Sequence, residues 1–469
     1  MVPVCPTKAE AEAWAAEWYR QYKPRPFDPR LYLTVGGLLE QLAPGEDDSP
    51  PPVRLLRLSW LQAWARMVKD TPGGLPLPRR QELEREHPEA FLTEEEVGAL
   101  PRGSDQIDAD RPLRLVAISH GWLTPIHPDP HGEQLVRFVD QVRRERQLCP
   151  GGPVDTCLAC GTWLCPLADA SIREQTRAER GLAAFYLVCC PLAIGCSQGC
   201  ACGCVPLAGQ GFGRSWRAFP DGEVAVFYDF ASLMQKDKRG ERTAIERETF
   251  SAALDKVGSW YAHRLTTTFS MSTLPEGWDA TPYADRGWPT FERAVSGLIK
   301  PSDALSWRRV ADPAVVRNAD NNPGAYREPP LHPREFAAQL ARRVFSEGES
   351  DCMLVASLYA ETLIGALGGM KHLEFQFCGW GNEELEKLAE VLIFAETAVT
   401  LNLLSNPKIG ARGLGALAAI LAAGAASNLR KLIYEYAHES KGNLLRAACE
   451  GRGIQILTSV SCHGYEGGG

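Results

Sequence analysis

A repeated unit near the C-terminal end limits most strongly how this chain of 469 residues can fold. Segments that begin at His372 and at Thr400, 28 positions apart, each contain alternating leucines, a polar turn and an Ala/Leu-rich helix. A third, degraded copy begins at Arg430. Because one such unit cannot bury its apolar face alone, repeated units stack against one another. We therefore predict a short stack of strand–helix units in residues 336–460, with an ordinary α/β subdomain as the alternative.

Residues 111–310 alternate between strand-like and helix-like patterns. The predicted strands are Leu113 to Ile118, Val224 to Phe230 and Arg264 to Ser272. The predicted helices begin at Asp129, near Thr243 and after Gly287. The first of these helices is expected to carry Pro130 in its first turn and to bury Leu135, Phe138, Val139 and Val142. A helix after each strand predicts an α/β fold with a parallel sheet covered on both faces. The polar, proline-rich residues 311–335 predict a linker.

Residues 1–110 are predicted to form a helical extension. Thr7 is expected to cap a helix that runs to about Lys23. Four apolar residues recur at helical spacing, Leu56, Trp60, Trp64 and Met67, and the tryptophans are interpreted as core.

Charge and composition exclude some classes of partner. The net charge of −8 and the isoelectric point near 5.7 argue against nucleic acid, since no surplus of basic side chains can neutralise phosphates. The N-terminal segment lacks a basic stretch followed by an apolar core, so we expect no signal peptide and a cytoplasmic location. Residues 181–213 carry no charge, but their prolines and glycines disfavour a continuous helix. A membrane span is therefore not expected.

Polar residues follow each predicted strand of the α/β part. Because the carboxyl ends of parallel strands meet at one edge of a sheet, we expect these residues to form a ligand-binding rim there. The predicted rim comprises Ser119, His120, Trp122, Asp129, Tyr228, Ser232, Gln235, Tyr283, Arg286 and Trp288.

Three segments, in the order ISHGW, FYDFASLMQ and YADRGWPTFE, resemble a Toll/interleukin receptor (TIR) domain. With HPDPHGEQL after the first of them, the same order of motifs resembles a family of proteins from algae and other protists, and is broadly similar to fungal heterokaryon-incompatibility domains. The resemblance spans residues 113–299, with Pro289 where the TIR pattern usually has cysteine. It implies a flavodoxin-like parallel-sheet domain.

TIR domains cleave NAD⁺ and also assemble with one another, so the resemblance implies self-association or NAD⁺ as a substrate. For cleavage the family uses a glutamate in the helix after the second rim strand, where this chain has Ser251 and, nearby, Glu248. Asp229 and Glu292 are the other catalytic candidates, because cleavage needs a carboxylate that stabilises a cationic ribosyl centre. The structural alternative is that Asp229 ties a loop and Glu292 pairs with Arg286.

The second C-terminal repeat resembles the ribonuclease-inhibitor class of leucine-rich repeats. The residues that carry this resemblance are Leu401, Leu403, Asn406, Ile409, Gly410, Gly413, Leu417, Ala418 and Leu421. It implies an α/β solenoid that binds a protein partner. No GxxxxGK[ST] motif is present, so a nucleotide-switch module of that type is not expected.

A cysteine-rich insertion occupies about residues 148–215. Cys157 and Cys160 are separated by two residues, a spacing at which two thiolates reach one zinc ion. The candidate zinc ligands are Cys157, Cys160, Cys165, Cys196, Cys200, Cys202 and Cys204. Because the later cysteines are irregularly spaced, a poorly structured insertion or a translated intron is the alternative.

Histidines cluster after the first predicted strand, but their spacing does not indicate a reactive centre. His120, His127, Asp129 and His131 lack the helical or hairpin spacing that directs ligands at one metal ion. Ser119 and His120 are neighbours in a strand and point to opposite faces, which disfavours a nucleophile–base pair.

Together these observations predict a cytoplasmic signalling or scaffold protein. The TIR-like part is expected to mediate assembly or to bind a nucleotide-like ligand, and the repeats to bind a protein partner. The alternatives are an NAD⁺ hydrolase of the TIR type and a zinc-binding protein.

Overall fold

The structure is a computed structural model that describes residues 7–45, 49–100, 114–148, 156–157, 162–163, 222–300, 327–345, 348–376, 378–434 and 443–458. The strands are β1 (Leu56–Arg57), β2 (Leu115–His120), β3 (Thr156–Cys157), β4 (Thr162–Trp163), β5 (Ala225–Phe227), β6 (Thr267–Met271), β7 (His372–Glu374), β8 (Thr400–Asn402), β9 (Lys431–Tyr434) and β10 (Gln455–Thr458).

Helices make up most of the rest of the described chain. The α-helices are Lys8–Gln21, Arg30–Leu33, Val35–Leu39, Leu58–Asp70, Arg80–Glu86, Glu94–Ala99, Glu133–Leu148, Asp229–Ser232, Ala244–Leu254, Val257–Ala262, Gly287–Ser296, Pro333–Leu340, Glu349–Gly369, Asn382–Val391, Ala411–Ala422 and Asn443–Gly451. Short 3₁₀ turns are Pro88–Ala90, Tyr283–Asp285 and Leu392–Phe394. The protein is therefore of mixed α/β class, as predicted.

The N-terminal sheet has the strand order β1–β5–β2–β6. β2 pairs in parallel with both β5 and β6, which confirms the predicted parallel arrangement. β1 comes from the extension that was predicted to be only helical, and it pairs antiparallel with β5. That prediction was wrong at β1, because Leu56 is fully buried at the sheet edge rather than on a helix face.

All six side chains of β2 are buried, and they alternate between two cores. Val116 and Ile118 pack into a cluster covered by the helices Leu58–Asp70 and Glu133–Leu148. Leu115 and Ala117 pack into a second, larger cluster on the opposite face of the sheet. The next two residues of the strand are polar, and they continue the same alternation.

The helix after β2 begins at Glu133, four residues later than predicted. Gly132 has φ of 74°, a left-handed conformation that keeps the preceding residues out of the helix, so Pro130 lies outside the first turn. Asp129 nevertheless accepts a hydrogen bond from the backbone N–H of Leu135 at 2.9 Å. The predicted inner face is confirmed, since its four residues are fully buried: Leu135, Phe138, Val139 and Val142.

The N-terminal helices differ from the prediction in which face is buried. Thr7 forms a capping box at the start of Lys8–Gln21, as predicted. In Leu58–Asp70 the residues that face the core are Leu58, Leu61, Ala65 and Val68. Trp60 and Trp64 stack on each other at 5.1 Å and are only partly buried, while Met67 is 49% exposed. Trp60 and Trp64 therefore border the core, whereas the more deeply buried stripe was not predicted.

The C-terminal sheet has the strand order β10–β9–β8–β7, and every pairing is parallel. Each of the first three strands is followed by one helix, and the helices Asn382–Val391, Ala411–Ala422 and Asn443–Gly451 pack side by side. The predicted stack of strand–helix units is therefore present, with β10 as a fourth strand that was not predicted.

Asn406 connects two units of this stack. Its buried side-chain amide donates to the carbonyl oxygens of Phe375 and Leu403, at 2.8 and 2.9 Å. Its Oδ1 accepts from the backbone N–H of Trp380 at 3.0 Å. The turn residue of one repeat thus satisfies backbone groups of the preceding repeat.

Arg327 lies within the predicted linker, of which residues 327–335 are described, and it joins the two halves. The buried guanidinium donates to the carbonyl oxygens of Gly297 at 3.0 Å and Glu374 at 2.6 Å, and it lies 4.3 Å from the ring centre of Phe375. The part of the linker nearest the repeats is therefore packed against both halves of the protein.

One core runs through the extension, the N-terminal sheet and the repeats. The same cluster contains Ala15, Trp260 and Leu401, so the boundaries predicted near residues 110 and 335 are not breaks in packing. The helix Glu349–Gly369 supplies the centre of this core. By length and composition it is the one helix of the described ranges that could cross a membrane, and 61% of its most apolar window is buried inside the protein.

We predict that Asn406→Ala lowers the free energy of unfolding by about 3 kcal/mol, because it leaves several buried backbone groups without partners. Urea unfolding of the purified protein measures the change. Asn428→Ala is the matched control, since Asn428 makes one exposed hydrogen bond to the Glu396 carbonyl. Equal losses in the two variants would contradict the role assigned to Asn406.

Candidate functional site

The predicted rim lies where β2 ends, and its polar groups divide between the two faces of the sheet. Ser119 and His120 are the last residues of β2, and both are buried. Successive strand residues point to opposite faces, so each side chain meets a different set of neighbours. The rim is therefore two separate hydrogen-bonded groups rather than one cluster.

Ser119 links the helix Gly287–Ser296 to the sheet. Its Oγ donates to Glu292 Oε2 at 2.6 Å and lies 2.6 Å from the hydroxyl of Tyr283. Ser119 is fully buried and Glu292 is only 7% exposed. Tyr261, on the same side, donates from its hydroxyl to the carbonyl oxygen of Ile118 at 3.2 Å. The carboxyl group of Glu292 thus lies inside a closed hydroxyl network.

Burial controls the ionisation of this group. Removal from water raises the pKa of Glu292 to about 8, and the negative charge of Asp229 adds to the shift. Burial also raises the pKa of Tyr283 to about 12. Glu292 is therefore mainly a neutral carboxylic acid at pH 7.

His120 forms the second group, with the short helix after β5. Its Nε2 donates to Asp229 Oδ1 at 2.8 Å, and Trp122 Nε1 donates to Asp229 Oδ2 at 3.2 Å. The backbone N–H of Phe230 also donates to Oδ1, at 2.6 Å. The His120 ring lies 4.6 Å from that of Tyr228. Asp229 therefore ties the loop after β2 to the turn after β5.

The charges of this pair stabilise each other. Burial alone would lower the pKa of His120, but the charge of Asp229 and its hydrogen bond raise it. Burial alone would raise the pKa of Asp229, but the charge of His120 and the hydrogen bonds from His120 and Trp122 lower it. With the Asp229 side chain 25% exposed, the ionised carboxylate is the favoured form.

The other histidines of the region, His127 and His131, form hydrogen bonds that hold the loop after β2. His127 Nδ1 accepts from the backbone N–H of Asp129 at 2.9 Å, while its Nε2 donates to the carbonyl of Leu77 at 3.1 Å. His131 Nδ1 lies 3.0 Å from the carbonyl oxygen of Gly73. Across the described ranges, no group of three or more His, Cys, Asp or Glu side chains is arranged to hold a metal ion.

Three predicted rim residues act within turns. Ser232 Oγ accepts from the backbone N–H of Tyr228 at 3.0 Å, which closes the turn after β5. Gln235 donates from Nε2 to the carbonyl of Leu233 at 3.1 Å. Tyr228 is fully buried beside His120. These side chains shape the rim and do not project from it.

Arg286 and Trp288 begin the helix that carries Glu292. The predicted pairing of Glu292 with Arg286 is wrong: Arg286 Nε instead donates to the carbonyl oxygen of Thr281 at 2.7 Å. Trp288 packs edge-on against Phe291 at 6.2 Å and contributes to the larger core. Glu292 turns inward to Ser119, because that buried hydroxyl offers it a partner on the sheet.

Glu248 lies apart from these groups. It is exposed on the helix Ala244–Leu254, whose buried residues are Thr249 and Ala253. Ser251, which stands where TIR enzymes have their glutamate, is exposed on the same helix. Among the described residues, neither side chain forms a hydrogen bond with Asp229 or Glu292.

The cysteine prediction falls largely outside the described residues. Of the seven proposed zinc ligands, Cys157 has a described backbone, in β3. The other six lie outside the described ranges: Cys160, Cys165, Cys196, Cys200, Cys202 and Cys204. Zinc binding by this segment therefore remains a prediction.

Sequence reasoning missed two side chains that hold the site together. Tyr261 lies on the helix Val257–Ala262, and the bond from its hydroxyl to β2 depends on how that helix crosses the sheet. Gln134 is buried and donates to the carbonyl oxygens of Gly121 and Pro128, at 3.0 and 2.7 Å. A polar residue among the buried positions of an amphipathic helix was the available signal for Gln134.

A neutral acid and an ionised carboxylate are the pair that glycosidic cleavage uses. Here, however, Glu292 is closed off by Ser119 and lies on one face of β2, while Asp229 binds His120 on the other. The geometry favours a structural role for both groups. No protein-family model, curated protein or solved structure matches the chain.

We predict that Glu292→Gln changes how stability depends on pH. The folded pKa of about 8 lies above the ordinary value of 4.5, so the folded state holds a proton that the unfolded state releases. Wild-type stability should therefore fall as pH rises from about 4.5 to 8, by a few kcal/mol in order of magnitude. Glutamine resembles the neutral acid, so the variant should lack this decrease.

Urea unfolding of both proteins at pH 5 and pH 8.5 checks this expectation. Between pH 5 and pH 8.5, the free energy of unfolding of Glu292→Gln should rise relative to that of wild type. Glu248→Gln is the control, because it removes an exposed carboxyl group of the same type. An equal decrease in the free energy of unfolding of wild type and of Glu292→Gln would contradict the conclusion that Glu292 is a buried neutral acid.

Proposed function

We propose that this protein is an assembly scaffold that binds a protein partner on the open face of its C-terminal sheet. The observation that carries the proposal is the register of β7 to β10, which aligns outward-facing side chains in rows across the stack. Parallel stacked repeats form extended binding surfaces in this way.

The two faces of the C-terminal sheet differ in polarity. Leu373, Leu401 and Leu432 are buried against the helices. The first outward row is His372, Thr400, Lys431 and Gln455, of which all but Thr400 are exposed. A row of long polar side chains over a rigid sheet suits recognition of another protein surface.

The second outward row is partly fixed before any partner binds. It contains Glu374, Asn402, Ile433 and Leu457. Asn402 Nδ2 donates to Glu374 Oε2 at 2.8 Å and to Gln376 Oε1 at 2.9 Å. Side chains held in place lose less conformational entropy on binding, which favours affinity. The half-buried Ile433 and Leu457 add apolar contact area to this row.

The N-terminal half also supports assembly more than catalysis. Its parallel strands follow the order second, first, third, which is the order at the start of flavodoxin-like sheets and fits the TIR-like assignment. Both candidate carboxyl groups of the rim are engaged in internal hydrogen bonds, so the rim lacks a free catalytic pair. With this assembly we propose a cytoplasmic signalling role, as the sequence led us to expect.

Site-specific photocrosslinking tests the partner surface. A photoreactive amino acid at Lys431 or at Gln455 should capture the same species from an extract of the source cells. At Leu444, which is 73% exposed on the helical side of the stack, it should not. The double variant Lys431→Glu, Gln455→Glu should weaken binding by about tenfold or more. Equal capture at Leu444 would contradict the proposed face.

Incubation with NAD⁺ distinguishes the alternative enzyme. We expect no nicotinamide release above a protein-free blank, because Glu292 is enclosed and Glu248 is exposed on the helix Ala244–Leu254. Release that is abolished by Asp229→Asn or Glu292→Gln would instead support NAD⁺ hydrolysis. Glu248→Gln serves as the control in the same assay.

A further inference from the structure

Arg286 lies at the carboxyl edge of the N-terminal sheet, where its side chain is half-buried. Its one side-chain hydrogen bond, from Nε to the carbonyl of Thr281, leaves the two terminal nitrogens without a carboxylate in the described part of the chain. Two other half-buried arginines of this half are paired with carboxylates, Arg57 with Glu96 at 2.6 Å and Arg293 with Glu328 at 2.9 Å, whereas Arg137 donates to the carbonyl oxygen of Thr273 at 2.7 Å.

The neighbouring acidic groups are committed elsewhere. Asp285 precedes Arg286 directly, but its carboxylate faces Arg343 at 3.7 Å. Glu292, one helical turn and a half further on, is bound by Ser119. Asp229 is held by His120 and Trp122. Among the described residues, no carboxylate therefore forms an ion pair with Arg286.

The charge of Arg286 lies at a place where open α/β sheets bind ligands. The Arg286 side chain lies against Gly121, the first residue after β2, where an added Cβ would come within 3.0 Å of its Nε. β2 and β6 are adjacent strands, and the helices that follow them, Glu133–Leu148 and Gly287–Ser296, cover opposite faces of the sheet. Ligands of open α/β sheets bind where the connections diverge in this way.

We propose that Arg286 binds the phosphate group of an anionic ligand at the divergence of β2 and β6. A guanidinium with both terminal nitrogens available presents a planar pair of donors, which matches two oxygens of a phosphate. Gly121 allows the close approach, and the Thr281 carbonyl holds the guanidinium in orientation. This site is independent of the partner surface on the C-terminal sheet.

Burial of the Arg286 guanidinium without a counter-charge also lowers the stability of the ligand-free protein. Burial lowers the pKa of Arg286, and no carboxylate of the described ranges offsets that effect. The guanidinium remains charged at neutral pH, so its desolvation is unfavourable until an anion is bound. An arginine kept there at the expense of stability is typical of a binding residue.

Thermal unfolding with inorganic pyrophosphate as the probe tests the proposal. Wild type should show a midpoint that rises with pyrophosphate concentration and saturates, and acetate at equal ionic strength should give no such rise. Arg286→Gln should unfold at a higher temperature than wild type without ligand, and should lose the response. Titration calorimetry should show an affinity at least about tenfold lower for this variant.

Two further variants separate binding from general charge effects. Arg293→Gln removes an arginine that is already paired, and should keep the pyrophosphate response. Gly121→Ala keeps the charge of Arg286 but displaces the guanidinium, and should weaken binding several-fold. An unresponsive wild type, or an Arg286→Gln variant that is destabilised and still binds, would overturn the proposal.

Discussion

The burial of β2 on both faces is the constraint on which the rest of the structure depends. Because all six of its side chains are buried, they must alternate between two cores, and the last two are polar. Ser119 therefore needs a partner on one side, which Glu292 supplies, and His120 needs one on the other, which Asp229 supplies. The loops after β5 and β6 are thereby attached to the end of the central strand.

Glu292 and Asp229 carry the same functional group but differ in protonation state, because their surroundings differ. Desolvation dominates at Glu292, because its nearest partners are hydroxyl groups, and the acid stays protonated. At Asp229 the charge of His120 and three hydrogen bonds outweigh burial. Each group stabilises the rim in its own protonation state. Arg286 binds the Thr281 carbonyl but has no carboxylate partner among the described residues, which points towards a ligand.

Elements with strong local signals could be predicted, and those that depend on competing faces could not. The C-terminal repeats and the inner face of Glu133–Leu148 follow from periodicity. The start of that helix does not, because Gly132 adopts a left-handed conformation that sets the entry of the chain. Trp60 and Trp64 form an apolar stripe at helical spacing and border the core, yet the protein buries more deeply an adjacent stripe of smaller residues. Periodicity alone does not distinguish two neighbouring apolar stripes.

The sequence by itself determined most of the strands and helices, apart from β1 and β10, and which polar residues would gather at one sheet edge, because hydrophobic period and chain order are local properties. Only the tertiary structure decided that Ser119 meets Glu292, that Glu292 does not meet Arg286, and that Arg327 joins the two halves. Those outcomes depend on the angles at which the helices cross the sheet and on how deeply each side chain is buried. Neither quantity is encoded at any single position of the chain.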